Sequence, residues 1–166
     1  INQLMKASLP QLCGMPVEVV HQSGEADREE LQGAYRDAGI AAEVVAFEAD
    51  MPTRYRWADL AICRAGALTV AELALSGLPA LLIPYPFAAD NHQAANAGEF
   101  EREGAGIGLH ELPRDGSDAS LLVSPLRELL EAPKRLQDMS VAASRLARPD
   151  AATRVIDTCA QWLEVA

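Results

Sequence analysis

The run Arg64-Ala65-Gly66-Ala67-Leu68-Thr69-Val70-Ala71-Glu72 gathers small residues, a hydroxyl and a carboxylate into one turn and the helix that follows it. Small side chains let the backbone approach a ligand closely. With Thr69 and the amides after it opening a helix, unpaired N–H groups and the positive end of the helix dipole favour an anion. Glu72, one turn in, is then placed to accept from a sugar diol. Thr69-x-x-Glu72 is equally a capping box, whose side chains satisfy backbone donors and hold no ligand. Spacing alone favours the cap. Context favours the site, because Asp59-Leu60-Ala61-Ile62-Cys63 reads as a buried parallel strand and α/β folds bind ligands at the carboxyl ends of such strands.

Two further groups fall at strand ends. Asp90-Asn91-His92-Gln93-Ala94-Ala95-Asn96 follows Ile83-Pro84-Tyr85-Pro86-Phe87 and puts amides and one imidazole at a helix start. Amides donate and accept together, which suits sugar hydroxyls. The plainer reading is an Asp90 N-cap followed by a solvated turn. His21-Gln22-Ser23-Gly24 ends the first strand, where His21 either shapes the crevice or is a hydrogen-bonded structural residue. No spacing fits zinc or calcium ligation, so no protein-held metal is expected. The absence of a Walker lysine loop, a G-x-S-x-G elbow and GxGxxG argues against P-loop hydrolases, esterases and ordinary dinucleotide enzymes.

The elements that must position these residues alternate at βαβ period, which predicts a parallel sheet with helices on both faces. Strands are expected at Val17 to His21, Glu43 to Phe47, Leu60 to Cys63, Ala80 to Ile83 and Gly106 to Leu109. Helices are expected at Ile1 to Leu12, Ala26 to Ala38, Leu68 to Leu75 and Asn91 to Glu103, the last three closing at Gly39, Ser76-Gly77 and Gly104. Three successive helices, Ala119 to Leu130, Pro133 to Leu146 and Ala151 to Leu163, are expected to pack over one sheet face. The first helix has neither a cap nor a preceding strand, which suggests a fragment. One domain, 1–166, is expected.

Composition narrows the partners. The 166 residues carry a net charge of −10, and of 14 basic residues all but Lys6 and Lys134 are arginine, with no basic stripe. Nucleic acid is therefore not expected as a partner. Cys13, Cys63 and Cys159 are scattered among apolar residues and read as reduced buried thiols of a cytoplasmic protein. The longest apolar stretch, Ala71 to Ile83, is broken by Glu72, Ser76, Gly77 and Pro79, too polar for a membrane span.

Taken together, Ala58 to Glu72, Gly77-Leu78-Pro79-Ala80-Leu81-Leu82-Ile83-Pro84 and Asp90-x-x-Gln93-x-x-Asn96-Ala97 resemble the MurG family, bacterial UDP-N-acetylglucosamine transferases that form lipid II. The likeness extends to His21-Gln22-Ser23-Gly24 and Phe47-Glu48-Ala49-Asp50-Met51. It implies the Rossmann-like carboxyl-terminal half of a GT-B fold, the half that binds the nucleotide sugar. By resemblance, the backbone at Glu48 meets the uracil, amides at Ala67, Leu68, Thr69 and Val70 and the Thr69 hydroxyl meet base and diphosphate, Ala71 is a further UDP-N-acetylglucosamine-binding residue, Glu72 takes the ribose hydroxyls, and Gln93 takes those of N-acetylglucosamine. Arg64, Gly66, His21, Asp90 and His92 would shape the site.

The resemblance also implies that no catalytic residue lies in this chain. A Gly-rich phosphate loop and a uracil-side arginine would precede Ile1, and an amino-terminal domain would supply the general base and the lipid I surface. The intact enzyme would sit peripherally on the cytoplasmic face of the inner membrane and need no metal or other cofactor. His92 stands where many relatives carry Gln, and the loop at Pro86-Phe87-Ala88-Ala89 is less polar than is typical. Two alternatives share the half-fold: a stand-alone UDP-N-acetylglucosamine-binding subunit of a dolichol-linked transferase, and a UDP-sugar-binding module without turnover.

Overall fold

The structure, a computed structural model, describes residues 1–110 and 118–164. Helix α1 (Asn2–Leu12) leads into β1 (Glu18–Gln22), α2 (Arg28–Asp37) joins it to β2 (Ala41–Val45), and α3 (Met51–Trp57) carries the chain to β3 (Ala61–Cys63). Next come α4 (Ala67–Ser76), β4 (Ala80–Leu82), α5 (His92–Arg102) and β5 (Gly106–Gly108). Helices α6 (Ser120–Leu130), α7 (Pro133–Leu146) and α8 (Ala151–Glu164) follow.

Every paired strand is parallel, with Glu18 opposite Ala41, Ala61 opposite Ala80, and Ala80 opposite Gly106. The expected sheet is present as two ladders, β1-β2 and β3-β4-β5. One apolar core spans both, since Val19 and Val44 share a cluster with Ile62, Leu81 and Ile107. At the carboxyl rim the amino group of Ile1 is in electrostatic reach of His21 and of Arg64.

Alternation along β4 builds two layers. Leu81 and Ile83 join Leu4, Leu9, Leu122 and Leu126 from α1 and α6, whereas Ala80 and Leu82 join Leu73, Phe100 and Ala143 from α4, α5 and α7. A period of two sends successive side chains to opposite faces, and a strand covered on both faces must be apolar throughout. Full burial of Leu81 and Leu82 contributes roughly 2 to 3 kcal/mol apiece. At the end of α4, Gly77 adopts φ 61°, and its carbonyl accepts from Ser140 Oγ at 2.7 Å. The cap of α4 is therefore also the seat of α7.

Several expectations need correction. Strand β2 lies two residues earlier than Glu43 to Phe47, because Gly39 at φ 69° ends the preceding helix and Ile40 turns straight into the ladder. Helix α3 was not anticipated: it has seven residues and none buried, so it carries no apolar stripe to read. Its signals were local, an Asp50 N-cap accepting from Thr53 N at 3.2 Å and Pro52 in the first turn.

The carboxyl-terminal helices also depart from the expectation of one shared sheet face, since Leu122 and Leu126 of α6 join the Leu81 layer and Ala143 of α7 joins the Leu82 layer. Helix α6 packs on α1, and α7 packs on α4. Helix α8 is exposed along 151–162, with Val155, Ile156 and Trp162 at 64%, 67% and 76% exposure. Its apolar residues at helical spacing announce a helix without saying what covers it; residues 165 and 166 lie outside the described residues. Cys13 and Cys159 are exposed, not buried, Cys13 because it follows the last turn of α1 and Cys159 because it rides on α8.

Candidate functional site

Helix α4 opens at Ala67, one residue before the Leu68 start expected for the helix and two before Thr69, read from sequence as opening it. Gly66 is its N-cap in extended geometry (φ −64°, ψ 148°), and Ala67 is its first residue. The first intrahelical bond runs from Val70 N to Gly66 O at 3.0 Å. The amides of Ala67, Leu68 and Thr69 therefore lack an intrahelical acceptor, whereas those of Val70 and Ala71 are committed to the helix. The donor set shifts from the residues after Thr69 to the three ending at it. Leu68, the second residue of the helix, is 79% exposed.

The capping box does not form. No side chain caps α4, and the Glu72 carboxylate instead accepts from the Tyr55 hydroxyl at 3.0 Å. The early helix start explains this, since a box needs its carboxylate at the third helical position and Glu72 occupies the sixth. Glu72 is exposed, a turn and a half into the helix rather than one, and its other carboxylate oxygen has no protein partner among the described residues.

The loop after β4 is tied to the start of α4. Arg64 Nη1 donates to the carbonyls of Ile83 at 3.2 Å and Pro84 at 3.1 Å, and its guanidinium carbon lies 5.5 Å from the centre of the Tyr85 ring. Asn96 Nδ2 on α5 donates to Ala65 O at 2.9 Å. Gln93 Oε1 accepts from Tyr85 N at 2.9 Å, which fixes the amide so that its NH2 is the end left for a ligand. These bonds bring Arg64, Gly66, Ala67, Leu68, Thr69 and Gln93 to one rim.

The start of α5 is also displaced. Asp90 and Asn91 both have positive φ (48° and 54°), and the N-cap is Asn91, without a side-chain bond. Two left-handed residues in succession, a conformation Asn and Asp tolerate, move the helix start to His92 and remove Asp90 from the capping role. His92 is exposed on the first turn.

His21 is structural in its contacts. Its Nδ1 pairs with Tyr35 Oη at 3.0 Å and its Nε2 with Asn2 Oδ1 at 3.1 Å, and its ring meets Tyr35 edge-on. Burial, then the Ile1 ammonium, push its pKa down against the opposing Asp27. Burial raises the Tyr35 phenol to about 12. The Cys63 thiol, also pushed up to about 12 by burial, is held protonated and is no nucleophile at neutral pH.

Glu48 lies just past β2. Its amide donates to Gln22 Oε1 at 2.9 Å, and its carboxylate accepts from Asp50 N at 2.8 Å and from Arg54 Nε. Those donors, Asp50 N first and Arg54 second, hold its carboxyl below the usual carboxylate range. The side chain is thus committed, and its neighbour Phe47 is 77% exposed. Helix α3 reaches both acids: Arg54 binds Glu48 and Tyr55 binds Glu72. Sequence reasoning missed Arg54 and Tyr55, and only the Asp50 cap and Pro52 could have placed them on a helix. Among the described residues no three His, Cys, Asp or Glu side chains are grouped to hold a metal.

Residues 1–155 match the glycosyltransferase family 28 C-terminal domain. The chain is 46% identical over its whole length to a UDP-N-acetylglucosamine–N-acetylmuramyl-(pentapeptide) pyrophosphoryl-undecaprenol N-acetylglucosamine transferase of Stutzerimonas stutzeri. It is 45% identical, over 96% of its length, to the same-named protein of Methylococcus capsulatus. It spans 45% and 44% of those proteins, about half of each. The crystal structure of Acinetobacter baumannii MurG aligns with a TM-score of 0.82 at 35% identity, over 95% of this chain and 44% of that one. The spinosyn rhamnosyltransferase SpnG complexed with thymidine diphosphate aligns over 94% of this chain and 40% of its own at 0.57 and 23% identity, a likeness of fold alone. A match over so much of its length makes the conclusion direct: the chain belongs to the glycosyltransferase family 28 C-terminal domain family and is MurG-like within it.

Proposed function

We propose that this chain is the donor-binding part of an inverting glycosyltransferase that moves N-acetylglucosamine from UDP-N-acetylglucosamine to lipid I, giving lipid II for peptidoglycan. The observation that carries the reading is the start of α4: three amides without helical acceptors at a parallel-strand rim, followed by an exposed carboxylate. The names of the relatives supply the donor and the acceptor.

In this reading the amides of Ala67, Leu68 and Thr69 and the Thr69 hydroxyl receive the diphosphate, Glu72 the ribose diol, the backbone at Glu48 the uracil, and the Gln93 amide the acetamido sugar. The 4-hydroxyl of the muramyl sugar attacks the anomeric carbon of the donor. The bond from that carbon to the diphosphate oxygen breaks, UDP leaves, and the hydroxyl proton passes to a base outside this chain. Negative charge grows on the diphosphate as the bond breaks, and a helix N-terminus opposes it without a metal ion. Loss of one such donor costs on the order of 3 kcal/mol in barrier.

The remaining half of the relatives' length would supply the base, the lipid I surface and a peripheral seat on the cytoplasmic face of the inner membrane. Among the described residues no helix is long and apolar enough to cross a membrane. Calorimetric titration with UDP, UMP and uridine tests the reading. Affinity should rise in the order uridine, UMP, UDP, and equal affinities would exclude a diphosphate site at α4.

A further inference from the structure

The Glu72 carboxylate is assigned to the ribose above, yet the protein already grips it from one side. Tyr55 sits on α3, half-buried against the apolar cluster that holds Leu73, Ala74 and Leu82, and its hydroxyl reaches across to Glu72 Oε2 at 3.0 Å. A glutamate on an exposed helix face samples several rotamers, and fixing a long side chain at the moment of binding opposes affinity. A bond from a ring that is itself packed removes that freedom beforehand.

We propose that Tyr55 is a positioning residue for ribose recognition: its hydroxyl holds the Glu72 carboxylate turned toward the crevice and so sets the preference for a nucleotide with an intact 2′,3′-diol. The inference rests on the reading of Glu72 as the ribose ligand. A carboxylate has about four lone-pair sites, so Oε2 accepts from Tyr55 and still shares a diol with Oε1. The phenol stays a donor throughout the neutral range, since burial first and the Glu72 bond second both raise its pKa. Its neighbour Arg54 anchors Glu48 in the same manner, so α3 braces two parts of the rim at once.

The test compares binding of UDP and 2′-deoxy-UDP to the 166-residue chain and to its Tyr55→Phe variant, with thermal melting of each. The phenylalanine keeps the packed ring and removes only an oxygen directed at an exposed carboxylate, so the melt should be unchanged. Wild type should prefer UDP, and Tyr55→Phe should lose about three- to tenfold in UDP affinity, the worth of one hydrogen bond, with 2′-deoxy-UDP much less affected. In a Glu72→Ala background, Tyr55→Phe should change neither ligand's affinity.

A purely structural tyrosine would weaken both ligands equally, with or without Glu72, and that result overturns the proposal. Full discrimination retained in Tyr55→Phe also overturns it, leaving the role of Glu72 intact. Wild-type chain that fails to bind UDP, or to distinguish the two ligands, removes the reading of Glu72 and the proposal with it.

Discussion

Arg64 clamps the loop that carries Tyr85: one guanidinium nitrogen donates to the carbonyls of Ile83 and Pro84 while the cation lies 5.5 Å from the centre of the Tyr85 ring. The residue that begins the β3–α4 turn thus fixes the β4–α5 loop. Arg64→Lys keeps the charge but loses the planar donor and the stacking plane, so it is not conservative here. Chemical denaturation should show a loss of about 1 to 2 kcal/mol, and UDP affinity should fall with it.

Glu72→Ala separates the two roles that the sequence left open. The capping box is not formed, so stability should change by about 0.5 kcal/mol or less, well under the usual loss on removing a helix cap. UDP affinity should drop about tenfold or more, as for hydrogen bonds to a charged group. Melting and titration of one preparation read both effects.

Ala67→Pro removes a single amide from the start of α4 without breaking it. Proline is favoured at the first helical position, and Gly66 already has the extended backbone that a following proline requires. The melt should stay near that of wild type while UDP binding weakens severalfold. Unchanged binding would show that this amide faces no phosphate.

Gly77→Ala tests the cap of α4 that also seats α7. The backbone there is left-handed, and an added Cβ would come within 2.5 Å of Ser144 Oγ. A left-handed alanine costs about 1 to 2 kcal/mol before any clash is counted, so the melting temperature should fall by several degrees.

Stability should also decline in mild acid because of His21. Its folded pKa lies below the unfolded value of about 6.5, so the unfolded chain binds the proton first. The contribution of this residue is complete above that pH and is lost as pH falls through the folded value. Denaturation midpoints measured from pH 7 downward should drop, and His21→Gln should flatten that part of the profile.

The legible part of the fold was its periodicity. Residues Ala80 to Ile83 announce a buried strand because nothing polar interrupts them, and Gly39, Gly77 and Gly104 stop helices because the backbone there turns left-handed. Helix α3 lacked any such pattern, and with it went Arg54 and Tyr55, whose partners lie 6 and 17 residues away along the chain. The candidate site was legible as a location more than as a geometry. The run from Arg64 to Glu72 marked the rim, but whether Glu72 capped its own helix depended on where that helix began. The extended Gly66 decided it, and glycine is compatible with so many conformations that its sequence does not declare one.

A crystal structure of this chain soaked with UDP tests the central claim most directly. The account predicts the diphosphate within hydrogen-bonding distance of the Ala67, Leu68 and Thr69 amides, with the ribose diol on Glu72 and Tyr55 still bonded to that carboxylate. Density for UDP elsewhere, with those three amides facing only solvent, would contradict it.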